Sequence, residues 1–232
     1  ESAFNLDLVR HLAGRGASAE VRPPAVHVGA AQLEVGRRFR VAEAAGAEVV
    51  AFVHPGSGGS ALDWSPASFA ATANALSRRP GWRVFVTGSH HDRLVIDALA
   101  PLLEPQVAVV AERFPLRDLL GVLAAGDLMV APSTGPLHLA AALGLAAVGV
   151  YPPAPTMSPA RWGVLGPWSA SVTPPITCPA RRYCLLEHCL LHNCLDGVVP
   201  SRVIDTAVDL VDRRRRAHAR DGAAAYPGDH AS

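Results

Sequence analysis

The chain has 232 residues, half of them hydrophobic, and a formal net charge of +1. That length buries the core of one α/β domain and is short for two. So balanced a charge gives no long-range field to attract nucleic acid, and no apolar run reaches the roughly 18 residues of a membrane span.

Residues 1–45 include "FNLDLVRHLAG", helical in flavour but without strand alternation. They are read as the tail of a preceding domain and a linker, in a chain expected to be a piece of a longer protein. "EVVAFV" at 48–53 is apolar throughout and reads as a buried strand ending in the Gly-rich turn "HPGSGG". "SPASFAATANALSRRPG" starts a helix with Ser65 as N-cap and Pro66 at the first helical position, and Pro80-Gly81 stops it.

The unit then recurs. "WRVFVT", "VAVVA", "LMVA" and "AAVGVY" read as strands, and "HDRLVIDALAPLL", "LRDLLGVLAAG" and "GPLHLAAALG" as the helices between them. Apolar strands alternating with helices of this length specify a parallel sheet covered on both faces. Right-handed crossovers make it an α/β, Rossmann-like doubly wound parallel sheet over roughly residues 46–152.

Residues 152–182, rich in Pro, Gly, Trp and Ser, read as loop. With the Cys-rich stretch they complete a domain of residues 46–199. From Pro200 an amphipathic helix is taken to residue 217, with Arg213 to Arg216 at its C-terminal end, where cations suit the dipole. Residues 218–232 are expected to be disordered.

Two strand-to-helix turns carry the chemistry. In "APSTGPLHLAAALG", Ser133, Thr134 and Gly135 lie between a strand and a helix, at the sheet edge where open α/β folds bind ligands. A helix N-terminus offers unpaired N–H groups and the positive end of the dipole, a seat for phosphate. Gly135 lets backbone approach an oxyanion, the hydroxyls of Ser133 and Thr134 add donors, and His138 follows on the same side of the first turn. The plainer alternative is a capped core helix holding a satisfied histidine. Ser57 and Gly58 in "HPGSGG" sit at the same edge, and two such turns suggest a nucleoside diphosphate. Neither turn is a G-x-x-x-x-G-K-[ST] loop or a G-x-G-x-x-G fingerprint, which argues against a Walker ATPase and a dinucleotide dehydrogenase.

The four cysteines, Cys178, Cys184, Cys189 and Cys194, cluster with His188 and His192 among them. Zinc sites usually pair cysteines two to four residues apart, and these gaps are longer. Reduced thiols packing a loop on the sheet are expected, with a structural metal at the four cysteines as the alternative.

Together "FNLDLVRHLAG", "HPGSGGSALDWSP", "VTGSHHD", "STGPLHLAAALG", "MSPARWGVLGP" and the Cys-rich segment resemble the C-terminal half of glycosyltransferase family 9, the lipopolysaccharide heptosyltransferases. The resemblance runs from about Phe4 to Val211. It implies one half of a GT-B architecture, the half that binds the sugar nucleotide. It further implies a cytoplasmic inverting, metal-independent transferase, peripheral at the inner membrane if it touches a membrane at all. No cofactor is implied beyond a donor such as ADP-heptose or another nucleoside-diphosphate sugar. The glycolipid acceptor and the catalytic base would come from an N-terminal domain outside these residues, so the catalytic residue is unassigned.

Carried over by motif, Ser133, Thr134, Gly135 and His138 hold the donor diphosphate and nearby sugar, and Ser57 and Gly58 line the phosphate side. Asp92 accepts hydrogen bonds from the ribose. The family often has Lys where Leu62 stands and an acid where Ser133 stands, so this donor site has lost charge. Arg161 is a candidate replacement cation. A nucleotide-sugar-binding module without catalysis is the second reading. His54 is the one residue retained as a possible base within the chain.

Overall fold

The computed structural model describes His11 and residues 22–59, 61–180, 184–185, 188–191 and 193–221. Six parallel strands form one sheet in the order β3-β2-β1-β4-β5-β6. They are β1 Val49–Val53, β2 Trp82–Val86, β3 Ala108–Val109, β4 Leu128–Pro132, β5 Ala146–Val150 and β6 Ser169–Val172. This is the doubly wound sheet read from the sequence, with its topological switch between β1 and β4.

Strand periodicity explains the two cores. Along β1, Val49, Ala51 and Val53 face one layer, while Val50 and Phe52 face the other. The first layer contains α2 (Pro66–Ser77) and the long last helix α7 (Pro200–Asp221), with Phe69, Leu76, Val203 and Leu210 buried against the sheet. The second contains α1 (Ala30–Glu43), α4 (Leu116–Ala124) and α5 (Gly135–Ala142). Helix α3 (Arg93–Leu99) connects β2 to β3. Ser65 caps α2 as expected, accepting the Ser68 N–H at 3.1 Å, with Pro66 following.

Several boundaries differ from those read in the sequence. Helix α1 lies within residues 1–45 yet is built into the domain. Phe39 stacks among Phe85, Phe114 and Phe52, with ring centroids 4.8, 5.8 and 6.1 Å away. Gly121 of α4 has no side chain because the Gln32 backbone lies directly on it. The rest of 1–21 lies outside the described residues, His11 apart.

The stretch 152–182, read as loop, contains the short helix α6 (Pro159–Trp162) and β6, which pairs with β5 from Ala147↔Ser169 to Val150↔Val172. Its sequence, Ser-Ala-Ser-Val, is too short and polar to signal a strand; pairing at a sheet edge makes it one. Helix α7 runs to Asp221, four residues past the expected end and into the stretch expected to be disordered; residues 222–232 lie outside the described residues.

Arg214 has more to do than complement a dipole. It donates through Nε to the Gly144 carbonyl at 2.8 Å and through a terminal nitrogen to Asp127 at 3.2 Å. Asp127 also accepts the Val50 N–H at 2.9 Å, and Arg40 stands 3.5 Å away. This cluster ties α1, α7 and β1 together at the amino ends of the strands.

Candidate functional site

At the carboxyl end of β1 the chain enters the Gly-rich turn. The His54 N–H is held by the Val130 carbonyl at 2.9 Å, and Gly58 and Gly59 follow with φ of 58° and 81°. Those left-handed conformations cost an L side chain energy and cost glycine none. Ser57 is buried and closes the turn on itself: its hydroxyl donates to the Ala61 carbonyl at 3.1 Å, and it is hydrogen-bonded to the Asp63 carboxylate. Burial pushes the Asp63 carboxyl up, with Ser57 pulling the other way. Leu62 packs against the core rather than facing the site.

Beneath this turn lies a buried polar chain. His54 Nδ1 is 3.0 Å from the Thr87 hydroxyl, and His54 Nε2 is 3.7 Å from Asp92 Oδ2. Asp92 Oδ2 accepts both the Ser89 N–H and the Ser89 hydroxyl at 2.8 Å, and the Gly58 N–H also bonds this carboxylate. Oδ1 lies against Gly56, where a Cβ would collide with it. Burial pushes the Asp92 carboxyl up, yet the hydrogen bonds from Ser89, the neighbouring His54 and the Gly58 amide outweigh it and hold it below the usual range. Burial also lowers His54, against the pull of Asp92, so the imidazole is neutral near pH 7. Asp92 is only 4% exposed, and its Oδ2 is held by Ser89. His54, likewise 4% exposed, has both ring nitrogens facing partners and no free one turned to solvent.

The second turn is open. Thr134 is the N-cap of α5, and its hydroxyl makes no capping bond. Pro136 fills an early helical position that needs no N–H. A Cβ added at Gly135 would meet nothing within 4 Å. His138 is half-buried, and burial lowers its pKa. Under this turn the Tyr151 hydroxyl is buried without a hydrogen bond of good geometry; burial pushes the phenol up to about 12, although Val164 and Ser133 stand close enough to pull it down.

Two cavities flank this helix start. One, of about 470 Å³, is bounded by the turns after β1 and β2, by Glu112, and by an apolar wall of Phe114, Leu116 and Leu119. The other, of about 260 Å³, is bounded by Ser133, Gly135, His138, Met157 and Trp162. Thr134 lines both. The structure thus brings Ser57, Gly58, Asp92 and Thr134 to one cavity and Ser133, Thr134, Gly135 and His138 to its neighbour. Arg161 lies on its own Trp162 ring, 5.5 Å from the centroid, and Trp162 is the residue that lines the cavity. Sequence reasoning missed Glu112 and the wall of Phe114, Leu116 and Leu119, since nothing in "ERFPLRDLL" separates a cavity wall from the front of an amphipathic helix.

The four cysteines converge. All of them line one small pocket with Pro153 and Ile176, and none is in a disulfide. Burial, with the other three thiols nearby, pushes Cys194 up, and Cys189 Sγ accepts the Leu191 N–H at 3.4 Å. Among the described residues no three of His, Cys, Asp and Glu are arranged to hold a metal ion. His192 lies outside the described residues.

Comparison with known proteins follows the same lines. The family model of glycosyltransferase family 9 (heptosyltransferase) matches residues 20–187. A curated Haemophilus influenzae protein, whose name gives glycosyltransferase activity as an inference, is 37% identical over 112 residues, covering 48% of this chain and 32% of its own length. Among solved structures, a family 9 glycosyl transferase from Veillonella parvula has a TM-score of 0.71 at 15% identity, over 90% of this chain and 59% of that one. The ADP-heptose LPS heptosyltransferase II of E. coli has a TM-score of 0.68 at 20% identity, over 87% and 57%. The chain therefore spans a third of the curated relative and just over half of these structures, and its fold is the Rossmann-like sheet of one half of a GT-B glycosyltransferase. With a family match across most of its length, the chain belongs to glycosyltransferase family 9.

Proposed function

We propose that this chain supplies the donor-binding half of a glycosyltransferase that moves a sugar, in the first instance a heptose, from a nucleoside-diphosphate sugar to a lipopolysaccharide-type acceptor. The observation that carries the reading is Thr134, whose unused hydroxyl stands between two cavities at a helix N-terminus. The larger cavity, with its apolar wall, suits the nucleoside, and the smaller, with Trp162 and His138, suits the sugar. The diphosphate then crosses the start of α5. A structural neighbour, the E. coli heptosyltransferase WaaC solved with ADP, at 20% identity and a TM-score of 0.54, supports ADP as the first nucleotide to try.

The chemistry is direct displacement at the anomeric carbon, with inversion. As the bond to the diphosphate breaks, negative charge grows on its oxygens. The N–H groups of α5, the Thr134 and Ser133 hydroxyls and neutral His138 are placed to donate to them. We assign no metal to this step, since amide and hydroxyl donors perform the neutralisation. The acceptor and its base belong to residues beyond this domain. His54 is poorly suited, because its ring is buried between Thr87 and Asp92. Such an enzyme works in the cytoplasm, at most peripheral to the inner membrane; among the described residues no helix is long and apolar enough to cross one.

A second reading, a nucleotide-sugar-binding module without catalysis, draws on Leu62 and Ser133, which bring no charge to the donor site. Calorimetric titration with ADP, UDP and GDP sugars, and assay of transfer from ADP-heptose to a lipopolysaccharide core acceptor, decide the matter. Binding is expected, with transfer only when an acceptor-binding domain is present. Failure of every nucleotide sugar to bind overturns the donor reading; turnover by the 232-residue chain alone, abolished in His54→Ala, overturns the placement of the base.

A further inference from the structure

We infer that Tyr151 positions Ser133 for the diphosphate: its phenol donates to the Ser133 hydroxyl, which turns its own O–H toward the outer phosphate of the bound nucleotide. The inference rests on the donor-binding reading above. Tyr151 directly follows β5 and is fully buried, with its N–H fixed on the Val172 carbonyl at 2.9 Å. Its ring lies against Gly149, where a Cβ would collide with the ring and with Leu137 of α5. The strand thus gives up a side chain to admit the ring beneath the start of α5. That packing accounts for an aromatic ring at this place, and not for a hydroxyl on it.

The phenol oxygen is buried and makes no hydrogen bond of good geometry. A buried donor left unpaired costs stability, and phenylalanine would fill the same space without that cost. Two groups stand beside the oxygen, the Ser133 hydroxyl and the backbone of Val164, and both favour the phenolate. A backbone group that does so is an N–H. Phenol and serine hydroxyls each give one hydrogen and can each receive one. The arrangement that uses every donor therefore runs outward, from the Val164 N–H to the phenol, from the phenol to Ser133, and from Ser133 to a ligand. Ser133 lines only the smaller cavity, the one suited to the sugar, so the phosphate it meets is the outer one. A phosphate oxygen there gives the last donor its acceptor, and hydrogen bonds in such a chain strengthen one another. The chain also joins the turn after β4 to the loop after β5, which brings Met157 and Trp162 to the same cavity.

Calorimetry on the whole chain, with ADP and AMP as probes, tests the inference. Tyr151→Phe should weaken ADP by about fivefold to tenfold, the scale of one hydrogen bond, and AMP much less. It should melt no lower than the wild type, since the phenol has no good bond to lose. Ser133→Ala should weaken ADP by a similar factor, and the double variant no further, because the phenol acts only through Ser133. Tyrosine labelled with carbon-13 at Cζ adds a spectroscopic signature. Of the three tyrosine signals, the one missing from Tyr151→Phe should move when ADP is added, and move far less in Ser133→Ala. If ADP binds the wild type and Tyr151→Phe alike, or if the losses from the two single variants multiply in the double variant, the inference is overturned and the donor reading stands. If Tyr151→Phe melts lower and weakens ADP and AMP equally, Tyr151 only packs the core and the inference is again overturned. If neither nucleotide binds the wild type, inference and donor reading fall together.

Discussion

His54 Nε2 stands 3.7 Å from Asp92 Oδ2, with both side chains nearly free of solvent, at the floor of the larger cavity. The pair sets how the fold responds to acid. Burial depresses His54 and His138 below the ordinary value of 6.5, so the folded chain resists protonation there while the unfolded chain does not. The unfolded state then binds more protons below about pH 6.5, and stability falls as pH drops through that window and is level above it. Asp92, held below 3.8 in the fold, adds stability that is lost as pH falls further. Melting temperature measured between pH 8 and pH 5 should decline below 6.5, less steeply in His54→Gln. A flat profile would mean that these imidazoles take up protons freely in the folded state.

Glycines at the two turns should respond differently to one added methyl group. Gly56→Ala drives a Cβ into the Asp92 carboxylate and should cost about 1–3 kcal/mol in urea unfolding, the usual range for overpacking. Gly135→Ala meets open space and should leave stability within about 0.5 kcal/mol while weakening nucleotide binding, because that space is where the diphosphate is proposed to lie. Equal destabilisation by both would contradict this assignment.

Thr134→Val keeps the shape of the N-cap and removes the hydroxyl. Since that hydroxyl makes no capping bond, melting temperature should barely move. Nucleotide affinity should drop by about 1–2 kcal/mol, the scale of one hydrogen bond to a charged group. Unchanged affinity would remove Thr134 from the donor site.

The arginines of α7 should separate by burial. Arg214→Ala leaves Asp127 short of a partner in a buried cluster and should cost about 3 kcal/mol. Arg213 and Arg215 pair with Asp209 and Glu48 on the surface, and replacing either should cost less than about 1 kcal/mol. Chemical denaturation of the three variants gives the ranking.

Metal analysis of protein purified without added zinc should return well under one equivalent, consistent with thiols that pack the loop. About one equivalent of zinc or iron, lost together with folding on replacing Cys189 and Cys194, would make the cysteines a metal site.

The repeating strand–helix pattern determined much of the molecule on its own. Val49 to Val53 are apolar at every position because both faces of a parallel strand are covered, and that alone requires helices on either side. The turns at Ser57-Gly58 and at Ser133-Thr134-Gly135 were legible as turns for a related reason: glycine and hydroxyl residues after a buried strand close a turn or cap the next helix. Tertiary structure decided what local sequence does not encode. Asp92 bonds Ser89 only three residues back, but the Gly58 amide reaches the same carboxylate from the turn after β1, 34 residues earlier. The Glu112 N–H meets the Gly88 carbonyl, 24 residues earlier in the chain. Ser169 to Val172 become a strand because β5 offers an unpaired edge. Each of these rests on groups distant in sequence meeting in space, and periodicity reports only which face a residue turns, not what it will find there.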